Sequence, residues 1–267
     1  MLHEDAACDR DVLSSRAMEW QTTLLLCGLF FVVATLYTTV GHAGASGYLA
    51  TMALIGMAPE SMRPTALALN ILVASLTVYR FRKARFFAWD GLWPFLLGSV
   101  PLAALGGMQS LSKGTYYSAV GSVLLFAAAY ITWRAFASPR TIDEHVIHVK
   151  KLPAVFMGAG IGFISGLTGT GGGIFLSPLL LILAWAGPKT AAGISAPFIM
   201  VNSIVALAAG WHITKALPPE LPWLAISALC GGLLGTWAGL QWLKQKALLI
   251  TLAVVMTLAA AKLLLTA

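Results

Sequence analysis

The sequence predicts an all-α, polytopic membrane protein of about ten transmembrane or half-membrane helices, arranged as two inverted five-segment repeats with glycine-broken helices. Three observations predict it. Of 267 residues, 58% are hydrophobic and 10% charged, against roughly 45–50% and 25% in a soluble domain. Apolar runs of about 17 to 25 residues recur from end to end, leaving no room for an appended soluble or enzyme domain. Two glycine-rich stretches, TTVGHAGASGYLA at 38–50 and SGLTGTGGGIFLSP at 165–178, interrupt such runs in corresponding parts of the two halves.

In chain order, residues 1–21 mix acids and bases and lack the basic-then-apolar order of a cleavable signal, so they form a non-membrane segment. The first hydrophobic helix then serves as its own insertion signal. A first repeat over 22–137 carries spans near 22–40, 44–57, 63–80, 91–109 and 114–136. After a cytoplasmic connector at 138–151, a second repeat over 152–267 carries spans near 153–168, 172–186, 191–210, 221–241 and 247–265. The segments beside the glycine breaks are too short for a comfortable full crossing at about 1.5 Å per residue, which suggests half-helices meeting inside the bilayer. Cys8, Cys27 and Cys230 are scattered and propose neither a disulfide framework nor a metal cluster.

The net charge of +7 reports topology before it reports partners, because the basic residues gather beside apolar spans. Arg80, Arg82, Lys83 and Arg85 follow the third span, Arg134, Arg140, Lys150 and Lys151 fall around the connector, and Lys244 and Lys246 follow the ninth span. The positive-inside rule makes these three connections cytoplasmic, with no call for nucleic acid.

A shift of 132 residues carries Asn70 onto Asn202, Val73 onto Val205, Gly107 onto Gly239, Gln109 onto Gln241 and Leu111 onto Leu243. A shift of 127 carries Gly44 onto Gly171, Tyr48 onto Phe175 and Leu49 onto Leu176. One short insertion after the second break reconciles the two registers. An odd number of segments per half makes the repeats inverted in topology.

Unwound backbone at membrane depth is tolerated only where it is buried in protein or lines a polar cavity. A break therefore implies a site. The amides of Gly44, Ala45 and Ser46, and of Gly171, Gly172 and Gly173 after Thr170, open new helices, whose positive N-termini favour an anion. The competing reading is close helix packing through small residues, which accounts well for GAGIGFISG at 158–166. It accounts less well for GTGGG, where consecutive glycines would each cost a helix about 1 kcal/mol.

All ten acidic residues lie in loops or at expected helix ends. A cation carrier or carboxylate-based proton pump normally keeps an acid near mid-membrane, so an anion or neutral solute is favoured. His42 lies inside the first break, and an imidazole, whose unperturbed pKa is about 6.5, could carry a proton with the anion, or simply serve as a hydrogen-bonded structural residue. Asn70 and Asn202 occupy equivalent places in the third span of each half, and buried amides in lipid must find partners, so both are expected to face the bundle. Arg63 and Ser195 lie seven residues earlier on the same faces. Arg63 either attracts anions at an outer mouth or snorkels at the boundary. Gln109 and Gln241 read as structural.

GTGGGIF completes neither GxGxxG nor GxxxxGK[ST], so no nucleotide site is offered, and no metal-ligand spacing or nucleophile with base and orienter is present. His145 and His148 flank Asp143 and Glu144 in the connector and read as a solvated loop.

The two breaks, GHAGASGYLA and GTGGGIFLSPLLL, together with the duplicated architecture and basic central loop, resemble the TauE/SafE family of sulfite and organosulfur-anion exporters from about residue 24 to the end. His42 and Ala43 depart from the small residues and glycine usual in the first break. The resemblance implies a multi-pass transporter of the bacterial inner membrane, without cofactor, driven by ion gradients and moving sulfite, sulfoacetate or a related anion. A passive small-anion channel, an importer of another small anion, and a membrane assembly factor are the competing classes; the short loops speak against the last.

Overall fold

The computed structural model describes residues 2–136, 148–211, 217–241 and 246–267. These form ten helices and, among the described residues, no strand: α1 Leu2–Thr39, α2 Ala45–Leu54, α3 Pro59–Lys83, α4 Trp89–Met108, α5 Lys113–Phe136, α6 Lys151–Thr168, α7 Gly173–Ile182, α8 Pro188–Ala209, α9 Leu221–Gln241 and α10 Lys246–Leu265. The protein is an all-helical, multi-pass membrane protein. Among the described residues, seven helices are long and apolar enough to cross a bilayer, the first as Trp20–Thr39 within the longer α1. The expected connector through residue 147, with Arg140, Asp143, Glu144 and His145, lies outside the described residues, as does Lys244.

The outer surface is apolar where lipid would lie. Leu24, Leu97, Phe156 and Trp237 are exposed on four different helices, and exposed Trp20, Trp89, Trp133 and Trp223 stand near span ends as an interfacial belt does. Glu60 and Asp90 occupy the first turns of α3 and α4, where a carboxylate complements the helix dipole.

Glycine sets how closely the long helices approach. Gly158, Gly162 and Gly166 present one face of α6 to the backbone of α4, where added β-carbons would strike the carbonyls of Phe95, Ser99 and Ala103. Gly231, Gly235 and Gly239 do the same on α9, against Phe31, Thr35 and Thr39 of α1. The two contacts are built alike. Exchanging the halves of the chain maps α4–α6 packing onto α9–α1, α4–α8 onto α9–α3, and α2–α3 onto α7–α8, while α3–α8 and α5–α10 map onto themselves.

α2 and α7 are the exceptions in length. Each has 10 residues, spanning about 15 Å, half of a hydrocarbon core of roughly 30 Å. Both end earlier than expected from composition. At the end of α2, Gly56 at φ 80° closes the helix with Gly56 N–H donating to Ala53 O and Met57 N–H to Met52 O. Ala184, at φ 53°, closes α7 with the same bond pattern. α2 is buried through nine of those residues, so it lies inside the bundle and not against lipid.

Candidate functional site

The first break begins with a Schellman closure of α1. Gly41 N–H donates to Thr38 O at 3.1 Å and His42 N–H to Tyr37 O at 3.0 Å. Gly41 takes the left-handed φ of 80° this closure requires, and a β-carbon there would strike Ala192. Gly44, at φ 103°, caps α2 and accepts from Tyr48 N–H at 2.9 Å. Every residue from Gly41 to Ala50 is buried.

The second break closes α6 through Gly169, at φ 85°, whose N–H donates to Ser165 O at 2.9 Å. Gly171 and Gly172 also take left-handed φ values, 75° and 79°. Gly172 caps α7, accepting from Phe175 N–H at 3.1 Å and Leu176 N–H at 3.2 Å. No larger residue fits. A β-carbon on Gly172 would lie 2.8 Å from Phe198 Cε1 and 2.9 Å from Ile161 Cγ2.

The breaks meet. His42 Nε2 lies 3.0 Å from the carbonyl oxygen of Gly173, the first residue of α7. A carbonyl only accepts, so Nε2 carries the proton and donates, an arrangement open to both the neutral and the charged ring. The imidazole is 5% exposed and stands edge-on to Tyr37, with ring centroids 6.3 Å apart.

Asn70 of α3 reaches the same place from the other side. Its Nδ2 donates to Ser203 Oγ of α8 at 3.3 Å and occupies the space a β-carbon on Gly171 would need. Asn202 uses its Nδ2 within its own helix, donating to Phe198 O at 2.9 Å. Both amides are fully buried, and both Oδ1 atoms lack a partner.

The other expected site residues are distributed around this centre. Ser46 Oγ pairs with Tyr37 OH at 2.7 Å, leaving its backbone amide, with that of Ala45, at the start of α2. Ser195 Oγ accepts from Ser177 Oγ at 2.8 Å, tying α8 to α7. Thr170 Oγ1 is 3.1 Å from Thr168 Oγ1. Arg63, 8% exposed, donates from Nη1 to Gln109 O at 2.9 Å and from Nη2 to Gly106 O at 3.0 Å and to Gly107 O, so it caps the C-terminal end of α4. Its stem also walls Gly169, whose β-carbon would fall 3.1 Å from Arg63 Cγ, and it lines a pocket of about 100 Å³ with Glu60, Gln109 and Tyr116. Arg63 therefore stands beside the entrance to the second break and not between the breaks.

His42, Gly171, Gly173 and Asn70 are thus brought together, with Ile199 and Ser203 of α8 completing the contact. Ile199 and Ser203 were not singled out by sequence reasoning. Nor was Ser165, fully buried with an unpartnered Oγ, whose Cβ is 3.3 Å from where a Gly172 β-carbon would lie. For Ser203 a signal existed, since it adjoins Asn202; for the others there was none.

The chain matches the family described as Sulfite exporter TauE/SafE over residues 26–263. It is 37% identical over 239 residues to the "Probable membrane transporter protein y4hK" of Sinorhizobium fredii (strain NBRC 101917 / NGR234), a match covering 88% of this chain and 95% of that protein. No solved structure matches the chain.

Proposed function

The chain belongs to the sulfite exporter TauE/SafE family, and we propose that it is a secondary transporter of the bacterial inner membrane that exports a small sulfur-containing anion, sulfite, sulfoacetate or one like them, coupled to the proton gradient. The observation that carries this reading is the contact of His42 with Gly173, which joins two unwound, buried segments, each opening a half-helix. Helix geometry leaves the first amides of α2 and α7 without intrahelical acceptors, and both dipoles favour negative charge at that end. An anion leaving water needs such replacements for its hydration shell.

On this reading the anion lies where the breaks meet. The amides of Gly44, Ala45 and Ser46 serve it from one half, and those of Gly171, Gly172 and Gly173 from the other, with Thr170 beside them. Asn70 lends its amide at the second break, and Asn202 supports the opposite wall. Ser195 fixes α7 against α8, and Arg63 holds the mouth. His42, in contact with both halves, carries the coupling proton.

The exchange pattern of helix packing supports two inverted repeats, an architecture in which one half rocks against the other around a fixed site. Counterflow tests the reading. Proteoliposomes preloaded with unlabelled sulfite should accumulate labelled sulfite transiently and saturably; flux that is linear in concentration and insensitive to internal sulfite would identify a channel.

A further inference from the structure

Tyr48 stands one turn inside α2, and its phenol folds back over the cap of its own helix. A β-carbon on Gly44 would fall 2.9 Å from Tyr48 Cζ and 3.0 Å from the hydroxyl oxygen. Phe30 holds the ring there, with centroids 4.8 Å apart, and the side chain is fully buried. Yet the hydroxyl has no hydrogen-bond partner. A buried phenol ordinarily finds one, because water has been stripped from it without replacement.

Two independent features therefore converge on one point. The first amides of α2 have no intrahelical acceptor, and a hydroxyl donor with nothing to donate to lies over the same cap. The second half of the chain carries no hydroxyl at the equivalent position. Phe175, which aligns with Tyr48 at a shift of 127, stacks its plain ring on Phe126 with centroids 5.1 Å apart.

We infer that Tyr48 Oη is a substrate-binding donor, which with the amides of Ala45 and Ser46 takes one oxygen of a small oxyanion at the first break. The inference rests on the reading that the anion binds between the breaks. It makes the two breaks unequal, the first offering an O–H and the second the Asn70 amide. Donors arriving from separate directions suit an anion with several oxygens, such as a sulfite or a sulfonate.

Tyr48→Phe tests it, with sulfite as the probe. Since the hydroxyl has no partner in the protein, the variant should melt at the wild-type temperature or above it when sulfite is absent. Its KM for sulfite efflux from proteoliposomes should rise about tenfold, and the sulfite-induced rise in Tm should shrink. An unchanged KM and Tm rise, with Asn70→Ala impaired in both, would overturn the role of Tyr48 and leave the site between the breaks standing. A lower Tm in sulfite-free Tyr48→Phe would show that the hydroxyl is spent inside the protein, which also overturns the inference. Wild-type protein whose Tm ignores sulfite would remove the shared site and the role of Tyr48 with it.

Discussion

His42 Nε2 and Gly173 O, 131 positions apart in sequence, are 3.0 Å apart in space. Through that bond the break that ends α1 touches the first turn of α7, and a titratable ring sits where the two halves of the molecule meet. On the proposed reading, a change in the charge of that ring is how the proton gradient acts on the anion site.

If His42 carries the coupling proton, wild-type flux depends on pH and His42→Ala flattens the profile. His42→Gln, which keeps an N–H donor for Gly173 O but cannot titrate, should fold well and be equally flat. A Gln variant with the wild-type pH profile would assign the proton to another group.

Gly172→Val should abolish transport while leaving the protein inserted. The cap needs a left-handed φ of 79°, and the added side chain would collide with Phe198 and Ile161. The comparison that checks this is sulfite flux against the amount of monodisperse protein recovered. Substantial flux would move the site away from the second break.

Asn70→Ala should raise the KM for the anion by about tenfold, the worth of one good hydrogen bond of roughly 1.4 kcal/mol. Asn202→Ala should do less, because its Nδ2 bonds within its own helix to Phe198 O, whereas Asn70 Nδ2 stands against Gly171 of the second break. Equal KM values in wild type and Asn70→Ala would reduce Asn70 to a tie between α3 and α8.

Gly162→Val should damage the fold and not the site. Its side chain would be driven into the backbone of Ser99, and α4 would have to retreat from α6. Overpacking of this kind costs about 1–3 kcal/mol or more, so thermal melting in detergent should show a markedly lower Tm. A wild-type Tm would mean that the two helices part more easily than their contact implies.

Much of the architecture was legible in the sequence because lipid imposes a coarse rule, long apolar runs, and because GTGGG cannot continue a helix. The end of α2 came earlier than expected, although its signal, Gly56, was visible. The early end of α7 was not, since Ala184 adopts a left-handed φ of 53° without the usual glycine signal. At the site, the glycines and Asn70 stood out, since glycine and buried amide have few reasons to sit at membrane depth. What sequence could not convey was pairing: that His42 finds Gly173, that Asn70 chooses Ser203, and that Arg63 caps α4 at Gly106, Gly107 and Gln109. These depend on how helices cross, which no local pattern encodes.

The most direct test of the central claim is sulfite efflux from proteoliposomes holding the purified protein, with and without an imposed pH gradient, with sulfate and a neutral solute as controls. A proton-coupled anion site between the breaks predicts saturable sulfite flux that responds to the gradient and exceeds both controls. Folded, inserted protein that passes no more sulfite than empty liposomes would contradict it.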